Sequence, residues 1–204
     1  MITEFPEVLQ DVQRYVEALF NKLQRAELLY HNLEHTQKVV QRCKEISSAY
    51  VMAETDIFIL IAAAWFHDTG HLSGTLLNHE EKSVEIMKDY FKEKKPSDAI
   101  VEAIASCIMA TKIPHRPKTL PEKMICDADT YHLGTADFIH TDERLKKELQ
   151  LRDYNATEAW DSNTLNMLVK HKYFTVYCRE LLDKGKQENI DIILKRMKMN
   201  RNML

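Results

Sequence analysis

The chain has 204 residues and a formal net charge of −3, which is the size of one ordinary domain without a strong field of either sign. With only 4 glycines and 5 prolines, it lacks the turn residues that β-rich folds need. The weak charge argues against a nucleic acid polymer or an anionic membrane as partner, so we expect a small-molecule substrate. We therefore predict a single all-α domain over residues 1–204, with a homodimer as a further expectation.

The chain carries no segment that indicates export or membrane insertion. Its start shows no basic and apolar leader, so no secretory signal is expected. The longest apolar run, Ile57 to Phe66, is too short to span a bilayer. The 4 cysteines include no Cys-x-x-Cys pair, which is typical of free thiols in a reducing compartment. These patterns predict a cytoplasmic protein without membrane contact.

Apolar residues recur at helical spacing along most of the chain. They predict a first helix over residues 6–28 and a second from about residue 31. The run Ile57 to Phe66 is apolar on almost every side, so it predicts a central buried helix, which we expect to end at Gly70. Three prolines in residues 113–121 predict a loop. The other helical patterns start near Asn78, Pro96 and Pro121 or cover residues 137–151, 156–183 and 187–198.

Five histidines are clustered in the first half of the chain, at positions 31, 35, 67, 71 and 79. Any one histidine alone is more often a hydrogen-bonded core or surface group than a ligand. The pair His67-Asp68 is different, because it follows the most apolar helix. A carboxylate beside an imidazole in such surroundings is costly to bury unless a cation compensates it. Imidazole and carboxylate donors indicate a divalent ion such as Mn, Mg, Ni, Co, Fe or Zn.

Three segments stand in the order H…HD…D: Tyr-His-Asn-Leu-Glu-His-Thr with His35, Trp-Phe-His-Asp-Thr-Gly-His with His67 and Asp68, and Cys-Asp-Ala-Asp with Asp127 and Asp129. Over about residues 28–135 the chain therefore resembles the HD superfamily of metal-dependent phosphohydrolases. Residues 136–204 resemble the C-terminal extension of small bacterial members. The resemblance implies a helical bundle of the HD type.

The resemblance also implies a metal site and a reaction. Its ligands would be His35, His67, Asp68 and Asp129, with Asp127 as the rival for the fourth position. The implied chemistry is hydrolysis of a small phosphate ester by metal-activated water, which Asp68 would help to activate.

The segments Tyr-His-Asn-x-x-His and His-Asp-x-x-His also resemble cyclic-nucleotide phosphodiesterases of the same superfamily. This likeness implies that His31 is the general acid and that His71 bonds to the reacting water. Lys112 and His115 are alternative proton or charge donors to the leaving group. Lys112 also belongs, with Arg116 and Lys118, to a basic proline-rich loop that either binds substrate phosphates or is simply solvated.

Three functions are compatible with these motifs. The first is a phosphohydrolase acting on a nucleotide. The second is a di-iron oxygenase of the HD type, which would need His71 or His79 as additional ligands. The third is a non-catalytic module that senses a nucleotide in the same pocket. The presence of all four ligand types argues against this third function.

Overall fold

The computed structural model of the chain describes residues 5–23, 25–74, 76–94, 96–152 and 159–201. Within these ranges the chain forms α-helices and two short 3₁₀ helices, Thr69–Ser73 and Tyr131–Gly134, without any β-strand. The all-α prediction is therefore confirmed. The α-helices are α1 (Phe5–Lys22), α2 (Leu33–Ser48), α3 (Glu54–Phe66), α4 (His79–Lys94), α5 (Asp98–Ala110), α6 (Leu120–Asp129), α7 (Phe138–Leu151), α8 (Trp160–Lys170) and α9 (Val176–Arg201).

The chain folds as two compact units, Met1–Asp129 and Thr130–Leu204. The first unit contains every residue of the H…HD…D signature. The second contains α7, α8 and α9. The boundary lies close to residue 136, where the sequence predicted a C-terminal extension, and the single-domain expectation stays a prediction.

Helix α3 is the centre of the first unit, as its apolar sequence predicts. Its residues from Phe58 to Phe66 are all buried, and α1, α2, α4, α5 and α6 pack around it. Burial of each large side chain, such as Phe58 or Leu60, stabilises the fold by about 1.5–3 kcal/mol. Among the described helices, none combines the length and the apolar character that crossing a bilayer requires.

The chain turns sharply after α3, and two glycines allow the turn. The 3₁₀ helix Thr69–Ser73 ends at Gly74, whose φ of 87° is left-handed. The predicted terminator, Gly70, does not have this role. A Cβ atom on Gly70 would lie 2.0 Å from the backbone oxygen of His79, so this glycine is required by the close approach of the start of α4.

Two predicted helix ends are wrong. Helix α1 ends at Lys22 rather than at residue 28. The pattern over residues 156–183 is broken between α8 and α9, because His171 is extended and the hydroxyl of Thr175 accepts a hydrogen bond from the Cys178 amide at 3.2 Å. Residues 156–158 lie outside the described part of the chain.

The expected break before residue 187 is also wrong, because α9 continues through Gly185. A Cβ atom on Gly185 would lie 2.1 Å from the backbone oxygen of Gly134. This glycine therefore marks a close approach between α9 and the 3₁₀ helix Tyr131–Gly134, and not the end of a helix.

We expect Gly70→Ala to lower the free energy of unfolding by at least about 2 kcal/mol, because the added methyl group meets backbone atoms that cannot move aside. Urea denaturation measures the change. Ser106→Ala, on the exposed face of α5, is the control and should shift stability by less than about 0.5 kcal/mol. Equal stability of the Gly70 variant and the wild type would contradict the close approach.

All 4 cysteines are free and buried. Burial raises the pKa of the Cys107 thiol to about 12, and the Cys126 thiol donates a hydrogen bond to the Ala110 carbonyl at 3.0 Å. We therefore expect the folded protein to resist alkylation at pH 8, since the thiolate is the reactive form. Counting modified thiols by mass spectrometry, with and without guanidinium, checks this; rapid labelling of the folded chain would contradict it.

Candidate metal centre

Three helices of the first unit supply the donors of the signature. His35 lies in the first turn of α2, where the side chain of Asn32 caps the helix by accepting a hydrogen bond from the His35 amide at 3.1 Å. His67 and Asp68 directly follow α3, and Asp129 is the last residue of α6. Because α2, α3 and α6 pack against one another, these ends meet at one place.

The distances between the donor atoms suit one divalent ion. The Nε2 atom of His35 lies 3.1 Å from Oδ1 of Asp129 and 3.3 Å from Oδ2 of Asp68. The Nε2 atom of His67 lies 3.2 Å from the same Asp68 oxygen and 3.8 Å from the Asp129 oxygen. Two ligands that bind one ion at about 2.1 Å are about 3–4.2 Å apart. All four separations fall in this window.

The ring of His67 is oriented by the backbone. Its Nδ1 lies 2.8 Å from the carbonyl oxygen of Ala64, which can only accept, so Nδ1 carries the proton and Nε2 faces the carboxylates. Within the described residues, neither Nε2 of His67 nor Oδ2 of Asp68 has a well-aligned hydrogen-bond partner, although both atoms are buried. Buried polar atoms are rarely left unpaired, and a cation would satisfy both.

The pKa values of His35 and Asp68 indicate that the site favours positive charge. Burial alone would lower the pKa of His35, but its interactions with Asp129 and Asp68 outweigh burial and raise this pKa to about 10. Burial would also raise the pKa of Asp68, yet the charge of His67 and the close approach of His35 hold it well below its usual value. The site therefore favours positive charge between the two carboxylates. A bound divalent ion would supply that charge.

The structure brings Asp129 into this cluster. The donor atoms of His35, His67 and Asp129 all lie within 4.8 Å of one another, and Asp127 is not in that group. Asp127 is fully buried two positions earlier in α6. The preference for Asp129 over Asp127 as a ligand stays a prediction.

A second set of histidines surrounds the other oxygen of Asp68. The Nε2 atoms of His71 and His79 each lie 3.9 Å from Oδ1 of Asp68. The ring of His71 is stacked between those of His31 and His79, with centroid distances of 4.0 Å and 3.9 Å. The predicted residues His31 and His71 are therefore beside Asp68, and their catalytic roles stay predictions.

Lys112 is placed next to the start of α4. Its ammonium group forms an ion pair with Glu81 and lies 3.4 Å from the side-chain oxygen of Asn78. The hydrogen bond with Glu81 raises the pKa of Lys112. None of its contacts within the described residues reaches Asp68. The rest of the basic loop, with His115 half-buried and Arg116 exposed, connects α5 and α6.

One supporting residue was missed by the sequence analysis. Ser83, on the inner face of α4, donates a hydrogen bond to the His67 carbonyl at 2.6 Å and accepts one from the Gly70 amide at 2.8 Å. It is fully buried. A serine inside an amphipathic helix has no sequence signal that would distinguish it from a solvated one, so only the fold reveals this role.

The first unit is thus an all-α bundle in which imidazole and carboxylate donors converge at a site that could hold a metal ion. The model of the HD domain family matches residues 32–134, about half of the chain, and the chain belongs to this family. The family is part of a superfamily of metal-dependent hydrolases, and most of its members are phosphohydrolases. Searches of curated proteins and of solved structures found no match to the chain.

We expect Ser83→Ala to weaken both the fold and the binding of Mn²⁺. The change leaves the His67 carbonyl and the Gly70 amide buried without their partner, which costs about 1–3 kcal/mol, and it frees the turn that orients Asp68. Chemical denaturation and Mn²⁺ titration measure the two effects. Ser106→Ala again serves as control, and unchanged Mn²⁺ affinity in a folded Ser83 variant would contradict the positioning role.

Proposed function

We propose that this chain is a metal-dependent phosphohydrolase that cleaves a small phosphate ester, namely a nucleotide. The observation that carries the proposal is the pair of buried atoms, Nε2 of His67 and Oδ2 of Asp68, that face each other at 3.2 Å without well-aligned hydrogen-bond partners among the described residues. The substrate class comes from the family, most of whose members are phosphohydrolases.

His35, His67, Asp68 and Asp129 would hold the ion. Two imidazole nitrogens and two carboxylate oxygens suit Mn, Fe, Co, Ni or Zn, and Mg less well. When bound, such an ion would polarise a phosphoryl oxygen and lower the pKa of a coordinated water. The chain itself fixes the donors: the Ala64 carbonyl orients His67, and the α2 cap positions His35.

Asp68 has a second task in this proposal. Its Oδ2 atom lies within 3.3 Å of His35 and His67, whereas Oδ1 lies 3.9 Å from the Nε2 atoms of both His71 and His79. An oxygen in that position can accept a hydrogen bond from the attacking water and orient it toward phosphorus. The carboxylate stays ionised at neutral pH because its pKa is held low.

The leaving oxygen needs a proton or a neutralising charge. Among the predicted donors, Lys112 is suited to charge neutralisation, because the raised pKa makes its ammonium group a weak acid. His79 is better placed to deliver a proton. Its Nδ1 lies 3.1 Å from the Leu76 carbonyl, so Nε2 is the exchangeable nitrogen, and Glu80 lies 3.4 Å from it. We assign proton delivery to His79 and Glu80.

A matched pair of variants tests the ligand set. We expect Asp129→Asn to lower Mn²⁺-dependent phosphate release by at least about 100-fold, because it removes an ionised ligand, and Asp127→Asn to lower it much less. Phosphate release from nucleoside mono-, di- and triphosphates, and conversion of cyclic nucleotides to nucleoside monophosphates followed by chromatography, with each divalent ion in turn, measure the effect and identify the substrate class. His140→Gln, on the exposed face of α7, is the control.

Three results would contradict the proposal. Turnover that survives both in folded Asp129→Asn and after all metal has been removed with a chelator would remove the metal from the reaction. Iron-dependent oxygen consumption without phosphate release would favour the di-iron oxygenase, for which the second set of histidines beside Asp68 provides donors. Tight nucleotide binding without turnover under any ion would favour the sensing module.

A further inference from the structure

A cavity of about 310 Å³ lies at the C-terminal end of α5, beside the basic proline-rich loop. Ligand pockets in proteins have volumes of about 300–1,000 Å³, so this cavity suits a small molecule or one part of a larger one. Its lining combines apolar residues with two cations: Met109, Ala110, Lys112, Ile113, Pro114 and Arg116. None of the described donors of the metal centre is part of this lining.

The apolar wall of the cavity is accessible to water. Ile113 is 72% exposed, and its neighbour Pro114 is also exposed. A ligand that removes such side chains from water gains free energy from the hydrophobic effect. A flat and largely apolar ring, such as a nucleobase, is suited to this wall.

The guanidinium group of Arg116 is available to a ligand. Arg116 is exposed, and its side chain has neither an ion pair nor a hydrogen bond among the described residues. A planar guanidinium stacks on the faces of aromatic rings, including the bases of nucleotides. Arg116 can therefore add a specific contact to a base that lies against the apolar wall.

Lys112 connects the cavity with the metal centre. It lines the cavity, and its Nζ atom pairs with Glu81 and lies 3.4 Å from the side-chain oxygen of Asn78 at the start of α4. Between these two residues in the sequence is His79, whose Nε2 atom lies 3.9 Å from Oδ1 of Asp68. The cavity is therefore beside the place where the proposed function puts the phosphate.

Hydrogen bonds hold both ends of the loop that forms the wall. At the end of α5, the Ala110 carbonyl accepts a hydrogen bond at 3.0 Å from the thiol of Cys126, which lies in α6 with Asp129. At the start of α6, the buried carboxylate of Glu122 accepts a hydrogen bond from the Lys118 amide at 2.6 Å. The loop is thus fixed to the helix that carries a donor of the metal centre, which keeps the cavity in register with that centre.

We infer that this cavity binds the base of a nucleotide whose phosphate lies at the metal centre. The inference rests on the proposed function and deepens it, because it makes a nucleoside the leaving group. The proposed function places Lys112 beside the leaving oxygen, which in a nucleoside monophosphate belongs to the ribose. The base beyond that ribose contacts Ile113 and stacks with Arg116. Lys118 is outside the lining and takes no part in this contact.

Binding of nucleotides and of a base-free counterpart tests the inference without turnover. The ligands are the four ribonucleoside monophosphates and ribose 5-phosphate, each with a methylene group in place of the leaving oxygen so that it resists hydrolysis. Each is titrated by calorimetry into the full-length chain loaded with Mn²⁺. We expect the best nucleotide analogue to bind at least about 10-fold more tightly than the ribose analogue, because only the nucleotide has a base to stack. Equal affinities, or no detectable binding of any ligand, would overturn the inference.

Two variants locate the preference in the cavity. Arg116→Gln removes the stacking group and Ile113→Ser the apolar wall, so each should reduce the preference for the nucleotide to less than about 3-fold. Lys118→Gln, with the same loss of charge in the same loop, and Val51→Ser, at an exposed apolar side chain elsewhere, are the matched controls and should retain it. Circular dichroism establishes that each variant is folded. A preference that persists in both folded cavity variants would also overturn the inference.

The two proposals fail separately. Base-dependent binding without phosphate release from any nucleotide would support the base site and overturn the proposed reaction. Phosphate release that is equally efficient from ribose 5-phosphate and from nucleotides would leave the phosphohydrolase standing and overturn the base site. An affinity that rises with the number of phosphates and is the same with and without a base would likewise overturn the base site.

Discussion

The first unit depends on how one buried negative charge is compensated. Asp68 is 4% exposed and directly follows the C-terminal end of α3, the most apolar helix. The dipole of a helix places negative potential at that end, so a carboxylate there is disfavoured by the helix as well as by burial. Its low pKa is possible only because imidazoles on two sides, His67 and His35 foremost, supply positive charge. A divalent ion would meet the same requirement without protonating its own ligands.

The surrounding architecture keeps these groups in register. The tight turn after α3 brings Gly70 against the start of α4, and Ser83 joins both ends of the turn by its hydroxyl. The same approach places His79 on His71. The close approach of this turn to α4 therefore determines both the packing of the core and the geometry of the donors. A change in one would change the other.

Much of the first unit could be predicted from the sequence. The apolar run before His67 indicated a buried central helix, and the ordered His and Asp motifs indicated which donors would converge. Their convergence depends on interactions between distant segments, such as that of His35 with Asp129, 94 positions apart, which periodicity alone does not encode. The stack of His31, His71 and His79 was not predictable for the same reason.

Glycine positions were the least reliable guide to where helices end. Gly70 was interpreted as a helix terminator, whereas it is a site where another backbone passes within reach of a missing Cβ, as is Gly185 inside α9. A local pattern cannot distinguish a glycine that needs a positive φ, such as Gly74, from one that makes room for a neighbour. The break before α9 also had no signal of this kind, because residues 171–175 contain neither proline nor glycine. There the hydroxyl of Thr175 caps the helix.

The assembly of the donors from α2, α3 and α6 has a thermodynamic consequence. An unfolded chain holds no such site, so any ion that binds here acts as a ligand of the folded state alone. By mass action, a free ion at 100 times its dissociation constant adds about 2.7 kcal/mol to stability. The melting temperature of the first unit should thus follow the divalent-ion content of its surroundings, which makes the fold itself a reporter of metal supply.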